Sequence, residues 1–331
     1  MLSGCTVVAG PTPTAATSFA VRLNAALAAG PTEFAELFAS PVLADSWYSA
    51  LSLADAELAA GGAPTQVSIH TRFSGDRRTA VESLTLEIGP EGTILGTRDT
   101  GVRPLWAVGV TEVTKTTHGT LLAADLDDAG RNLWESRLNR AATAVAEAGL
   151  LAAANHWDGA LVVELPADAA GFVATTGSPA AEAAAITTCS SGTPRIVINP
   201  LALSQSADWL QTTLTHEAVH VATDSACGAG TPWVVEGAAE SVAAATDAET
   251  AKTNAALVRA YLKSTPTPTA LPAKIDTQTD YALAQLAIDQ VRQLLGAKAP
   301  GFIAKGLSGE LSQAEVAQAT SWYLDGLRRL G

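Results

Sequence analysis

The spacing of apolar residues changes near residue 60, and this change predicts two kinds of secondary structure in the N-terminal third. Between residues 18 and 60 apolar side chains recur every three or four positions, which is the period of a helix. Over residues 67–73 and 84–88 they alternate with polar side chains, which is typical of strands with one buried face. Residues 105–114 and 117–124 predict a further hairpin. Helices followed by antiparallel strands indicate a small α+β domain.

We place this first domain over residues 18–128. Its order of elements resembles the cone-shaped NTF2-like fold, in which a curved sheet packs on helices. The resemblance implies that the domain binds a ligand or partner, or that it supports the rest of the chain. No set of residues within it has the composition of a catalytic site.

The remainder of the chain predicts more helix than strand, and we assign residues 129–331 to a second domain. The expected elements before residue 200 are a helix over 131–154, a strand over 160–165, a loop over 166–192 and a strand over 195–199. Three further helices are expected after residue 240, over 247–264, 280–295 and 311–330. The second domain should therefore combine a lobe with strands and a helical C-terminal lobe.

Residues 216–220 read His-Glu-Ala-Val-His and supply the strongest chemical signal in the chain. Two histidines four positions apart lie on one face of a helix, about 6 Å apart, so both can reach one metal ion. The flanking residues over 214–222 are uncharged and mostly apolar, which indicates a buried helix. The alternative is an ordinary helix on which His216 and His220 are solvated.

A second segment supplies further metal-site carboxylates. Residues 233–240 read Trp-Val-Val-Glu-Gly-Ala-Ala-Glu, and the gap after His220 is long enough for the chain to turn and form a second helix. Catalytic zinc takes three protein ligands and leaves a position for water, so Glu236 is the expected third ligand. Glu240, one turn later, is expected to accept the second ring N–H of a ligating histidine.

The combination of His-Glu-x-x-His with a later glutamate resembles the gluzincin branch of the zincin metallopeptidases. The resemblance implies a zincin-like domain that binds Zn²⁺ through His216, His220 and Glu236. It also implies that Glu217 acts as the general base toward water, which attacks a peptide carbonyl. More loosely, the plan of the chain resembles peptidase-like lipoproteins of high-GC Gram-positive bacteria.

Two further parts of such a site are expected. The oxyanion of the tetrahedral intermediate needs a donor; Tyr261 and Tyr281 are candidates, and we favour Tyr281 because it begins an apolar helix after a loop. The alternative is that each tyrosine is an ordinary helix-packing residue. Residues 195–199, or the segment before them, are expected to form an edge strand that pairs with an extended peptide or protein substrate. A purely structural strand is the alternative.

Composition and termini limit the partners and the compartment. A formal net charge of −13 argues against a nucleic-acid partner, because phosphate binding needs clustered Lys and Arg. Residues 2–5, Leu-Ser-Gly-Cys, resemble a lipobox in which Cys5 is lipidated, and residues 6–17 have the composition of a tether. We therefore expect membrane contact only through a lipid at Cys5, outside the cytoplasm, with the signal peptide missing from this chain. The alternative is an unlipidated terminus with a free thiol.

Cys189 and Cys227 both lie in loop-like sequence, and the second follows the histidine helix. If Cys5 is lipidated, an even number of cysteines remains, which suits a disulfide between these two in an oxidising compartment. Two free thiols, or a thiolate metal ligand, are the alternatives.

The pattern as a whole predicts zinc-dependent hydrolysis of peptide bonds. The alternative is a non-catalytic cell-envelope lipoprotein with a structural zinc site and a ligand-binding N-terminal domain. The presence of Glu217 as a general base argues against that alternative. Structural zinc sites usually have four protein ligands and leave no position for the water molecule on which such a base acts. The motif indicates water activation and does not specify the bond that is cleaved, so a peptidoglycan cross-link is a further possible target.

Overall fold

The chain forms two β-sheets, and helices pack against both of them. The computed structural model describes residues 18–99, 101–124, 126–149, 157–181 and 183–330. Within these ranges a four-stranded sheet belongs to the N-terminal part, and a five-stranded sheet is followed by a helical lobe. The mixed α+β class that the sequence predicts is therefore confirmed. Cys5 and the tether over residues 6–17 lie outside the described residues.

The N-terminal helices agree with the helical period of the sequence. They are α1 (Phe19–Ala29), α2 (Pro31–Ala35) and α3 (Pro41–Leu53). Ser18 and Ser40 cap α1 and α3 by accepting backbone N–H groups, and Pro41 opens α3. The helical segment ends earlier than residue 60, because Asp55 takes a left-handed conformation with φ of 49° and the chain turns into a strand.

The first sheet is antiparallel and follows chain order. Its strands are β1 (Glu57–Ala60), β2 (Gln66–Thr71), β3 (Ala80–Ile88) and β4 (Ile94–Thr97). Alternate side chains of β2 and β3 are buried, which confirms the predicted period of two. The buried face packs against an aromatic cluster in which the rings of Trp47 and Trp106 meet edge to face, with their centroids 5.0 Å apart.

The hairpin predicted over 105–124 forms, but it begins later than expected and belongs to the second sheet. Residues Leu105–Val108 form a short helix, α4, because Trp106 turns into the N-terminal core. The two strands are β5 (Glu112–Thr116) and β6 (Gly119–Ala123). Gly119 has φ of 129°, and a β-carbon there would lie 1.8 Å from the carbonyl oxygen of Leu161, so only glycine fits this approach.

The second sheet contains parallel and antiparallel pairs. Helix α5 (Asp128–Glu147) connects β6 to β7 (Leu161–Leu165), which runs parallel to β6. The remaining strands are β8 (Ala185–Thr188) and β9 (Arg195–Ile198), and the order is β5-β6-β7-β9-β8. This sheet joins strands from both sides of residue 128, and the proposed division of the chain at that residue remains a prediction.

One prediction within this region is wrong, and another holds only in the second of its two alternatives. The segment 166–192 is not a continuous loop, because it contains α6 (Ala169–Thr176), capped by Asp168, and the strand β8. Strand β9 lies inside the sheet between β7 and β8, and all four of its residues are buried. At this side of the sheet the edge strand is β8, which is the segment before residues 195–199 and the second of the two candidates.

Six α-helices follow β9 in the described residues and form the C-terminal lobe. They are α7 (Ala207–Thr223), α8 (Pro232–Thr246), α9 (Ala248–Ser264), α10 (Gln278–Leu295), α11 (Ala299–Leu307) and α12 (Gln313–Leu330). Helices α8 and α10 cross closely, since a β-carbon on Gly237 would lie 2.4 Å from the carbonyl oxygen of Ala284. No helix in the described ranges combines the length and the apolar character needed to span a bilayer.

The N-terminal part contacts the carboxyl end of α7 directly. Arg77 donates a hydrogen bond to the carbonyl of Ala222 at 2.6 Å, so it neutralises part of the negative end of the helix dipole. Arg78 forms two hydrogen bonds with the carboxylate of Asp224, at 2.5 and 3.0 Å, and Asp224 is the left-handed residue that ends α7. The predicted Cys189–Cys227 disulfide is confirmed, and it links the segment after β8 to the segment after α7.

Candidate metal centre

Helix α7 carries the His-Glu-x-x-His motif and packs against α5, α8 and the strands β8 and β9. Ser206 caps its first turn, Asp208 in that turn interacts favourably with the helix dipole, and Asp224 ends it. The helix is largely buried along residues 214–222, as its sequence predicts. His216 and His220 consequently occupy one face, and their ring centroids are 4.9 Å apart.

Helix α8 brings Glu236 to the two histidines. The Nε2 atoms of His216 and His220 are 3.2 Å apart, and they lie 3.3 and 3.5 Å from Oε2 of Glu236. One ligand atom from each residue lies within 4.8 Å of the others, and the cluster could hold a metal ion. Two donors that each sit at 2.0–2.1 Å from a tetrahedral zinc are separated by about 3.3 Å. The donor set and its spacing therefore fit zinc.

The second nitrogen of each histidine also has a partner. Nδ1 of His216 lies 3.1 Å from Oε2 of Glu240, and Nδ1 of His220 lies 3.0 Å from Oγ of Ser225. A proton on each Nδ1 leaves the lone pair of Nε2 free for the cluster. Glu240 is held in turn by Asn254, whose Nδ2 donates to Oε1 at 2.6 Å and to Oε1 of Gln285 at 2.8 Å.

The electrostatics of the cluster also fit a cation. Burial alone would lower the pKa of His216, but its hydrogen bonds to Glu236 and Glu240 outweigh burial and raise that pKa to about 10. Burial would raise the pKa of both carboxyl groups, yet the histidines hold the pKa of Glu236 and of Glu240 below the usual range. The site therefore keeps two carboxylates charged and attracts a positive charge, which a metal ion would supply in place of the proton.

Glu217 lies beside the cluster without belonging to it. Its side chain is mostly buried, and Oε2 accepts a hydrogen bond of 2.6 Å from the hydroxyl of Thr187 on β8. Glu217 lines a cleft of about 650 Å³ together with His216, Glu240 and Tyr281. A carboxylate in this place can reach a water molecule in the cleft, which is the geometric requirement for a general base.

The cleft runs between the edge strand β8 and the helices α7, α9 and α10. Of the described residues that line it, none is Lys or Arg, whereas six are acidic: Asp208, Glu217, Glu240, Asp247, Glu249 and Asp276. Glu249 pairs with Lys252 outside the cleft, and Asp247 caps α9. The cleft consequently favours positively charged groups.

Tyr281 is the tyrosine that the fold brings to the metal centre. Its ring meets that of His216 edge to face, with the centroids 5.8 Å apart. Burial raises the pKa of Tyr281 to about 12, and the nearby carboxylates of Glu236 and Glu217 add to the increase. The phenol therefore stays protonated and can donate a hydrogen bond. Tyr261 instead packs against the apolar core of the helical lobe.

Three residues that contact the site were missed by sequence reasoning: Thr187, Ser225 and Asn254. Each lies outside the two motif segments, and each reaches the site through the packing of another element. No local sequence pattern marks any of the three.

Comparisons with protein-family models, with curated proteins and with solved structures find no significant match to this chain. The gluzincin resemblance thus rests on the motif residues, and its functional content remains a proposal.

Proposed function

We propose that the chain is a zinc-dependent peptidase of the gluzincin type. The observation that carries the proposal is that Glu217 and His216, one member of the three-residue donor cluster, line the same open cleft. A structural zinc site would close with a fourth protein ligand, whereas this cluster adjoins a cleft large enough for a substrate.

Each residue of the site has a role in this proposal. The zinc ion would be held by His216, His220 and Glu236, and when bound it would polarise a carbonyl group and make water more acidic. Glu217 accepts a proton from a water molecule in the cleft. Tyr281 donates a hydrogen bond to the oxygen that gains negative charge as the carbonyl is attacked.

The shape and charge of the cleft support a polypeptide substrate. Strand β8 has one paired side, to β9, and its other side is an edge of the sheet beside the cleft. An extended peptide can add to such an edge by main-chain hydrogen bonds. The acidic lining favours peptides with Lys or Arg near the cleaved bond.

The same proposal includes the fold type of each domain and the compartment in which the protein is located. Helices α7 and α8 beside a sheet with an exposed edge support a zincin-like domain, and the first sheet packed on α1 to α3 supports an NTF2-like one. The disulfide supports an oxidising compartment outside the cytoplasm. An anchor at Cys5 would place the enzyme at the membrane surface.

The test of the proposed function is a measurement of metal content followed by a peptidase assay. Protein purified without chelators should contain about one zinc per chain by mass spectrometry. The zinc-loaded protein should cleave a peptide library, with basic peptides cleaved faster than acidic ones of the same length. Chelation should stop cleavage, and added zinc should restore it. A wild-type protein that binds no zinc at neutral pH would contradict the proposal.

Tyr281→Phe should lower kcat by about 10²–10³-fold and leave zinc binding unchanged, because it removes a donor to the developing oxyanion and no ligand. The matched control is Tyr261→Phe, which removes the same hydroxyl group from a residue that packs against the helical core. Steady-state kinetics with a cleaved library peptide compares the two variants. Equal rates for Tyr281→Phe and the wild type would assign the oxyanion contact to another group.

A further inference from the structure

Two hydroxyl side chains contact the metal centre from opposite ends of the disulfide bridge. Thr187 precedes Cys189 by two residues, and Ser225 precedes Cys227 by two residues. Neither residue belongs to the metal cluster, yet each contacts a group on which the proposed chemistry depends.

Thr187 holds one oxygen of the proposed base. Its hydroxyl lies 2.6 Å from Oε2 of Glu217, and 3.2 Å from the main-chain oxygen of the same residue. Thr187 is itself positioned by the pairing of β8 with β9, where it lies opposite Ile196. A carboxylate held at one oxygen has a fixed orientation, so its other oxygen stays available to a water molecule in the cleft.

Ser225 holds the ring of one metal ligand. It is buried in a short turn that follows α7, and its Oγ lies 3.0 Å from Nδ1 of His220. Oγ of Thr223 lies 3.1 Å from Oγ of Ser225 and steadies the hydroxyl. When the Nδ1 proton of His220 points to Ser225, Nε2 points its lone pair toward the donor cluster.

We propose that Thr187 and Ser225 are positioning residues of the metal centre, and that the Cys189–Cys227 disulfide couples them. The bridge joins the strand that orients Glu217 to the turn that orients His220, so neither can shift without pulling on the other. The role of Thr187 rests on the proposed function, because it acts through the base. The role of Ser225 rests on the metal cluster alone.

The first experiment is a zinc titration of Ser225→Ala against a competing chelator. The variant should bind zinc about 10–100-fold more weakly than the wild type, which is the usual cost of losing a group that orients a ligand. Ser225→Thr keeps the hydroxyl and should recover most of the affinity. Ser264→Ala, which removes an exposed hydroxyl that bonds only to helix carbonyls, is the control and should bind zinc as the wild type does.

The second experiment separates Thr187 from metal binding. Thr187→Val should bind zinc normally and keep its KM, while kcat falls about tenfold through loss of the hydrogen bond to a charged carboxylate. Thr187→Ser should restore kcat. Thr188→Val makes the same change one position along β8, at a hydroxyl that accepts only from the N–H of Ser190, and it should keep kcat.

The coupling is tested by removing the bridge with Cys189→Ala and Cys227→Ala together. This double variant should bind zinc more weakly than the wild type, and adding Ser225→Ala should then cost less affinity than it costs in the wild type. Near-ultraviolet circular dichroism and thermal unfolding show whether each variant is folded. If the bridge variant does not fold, the zinc affinities of the wild type and of Ser225→Ala are compared after reduction of the disulfide, and an unchanged cost of Ser225→Ala would overturn the coupling.

The outcomes separate this inference from the proposed function. Wild-type zinc affinity in Ser225→Ala would overturn the positioning role of Ser225. Fully additive losses of zinc affinity in the combined variant would overturn the coupling. A wild-type protein that binds zinc but cleaves no peptide would overturn the peptidase proposal, while the zinc titrations of Ser225 would still decide its role. A wild-type protein that binds no zinc would overturn both.

Discussion

Glu217→Gln is expected to reduce peptide hydrolysis by about 10²–10⁴-fold and to leave one zinc bound per chain, because glutamine keeps the size of the side chain but cannot accept a proton. The amide can still accept the hydrogen bond from Thr187, so the local packing should survive. Glu217 lies outside the donor cluster, and the metal should therefore be retained. The measurement is kcat for a cleaved peptide, with zinc content determined on the same sample.

The control for Glu217→Gln is Glu249→Gln. Glu249 lines the same cleft at the start of α9 and pairs with Lys252, so this change removes one negative charge from the cleft away from the donor cluster. It should keep kcat and affect at most the KM of basic peptides. An undiminished rate in Glu217→Gln would remove Glu217 from the proton transfer, and loss of zinc would show that Glu217 supports the metal instead.

Glu236→Ala is expected to lose both zinc and activity, because it removes one of three converging ligand atoms. The loss of affinity should exceed the 10–100-fold cost typical of a residue that only orients a ligand. Glu240→Gln provides that comparison within the same helix, since Glu240 contacts Nδ1 of His216 and no metal-facing atom. Removing a histidine ligand, as in His216→Ala, should match Glu236→Ala.

The stability of the variants gives an independent measurement of the same loss. Zinc at 100 times its dissociation constant raises the free energy of unfolding of the wild type by about 2.7 kcal/mol. Glu236→Ala should show no such increase at the same zinc concentration in a thermal unfolding experiment. If this variant still binds zinc tightly and is stabilised by it, another residue is the third ligand.

The sequence by itself determined the parts that depend on local spacing. The i, i+4 separation of His216 and His220 places both on one face of any helix, and the helix itself follows from the apolar period around them. The same reasoning predicted α8 with Glu236 and Glu240 one turn apart, and the alternation in β2 and β3. These features need only the geometry of one element, so a single segment of sequence contains them.

The tertiary structure alone decided how those parts meet. Strand order is set by pairing between distant segments, so only the fold shows that β8 rather than β9 is the edge, and that β5 and β6 join the second sheet. Thr187 and Ser225 reach the site through contacts across the fold that leave no periodic signal. The sequence favoured Tyr281 over Tyr261, but the contact between the rings of Tyr281 and His216 depends on how α10 packs against α8, where the close approach at Gly237 brings the helices together. The local period of apolar residues specifies which face of a helix or strand is buried. The packing free energy, summed over contacts between distant segments, decides which of these faces come together to form a site.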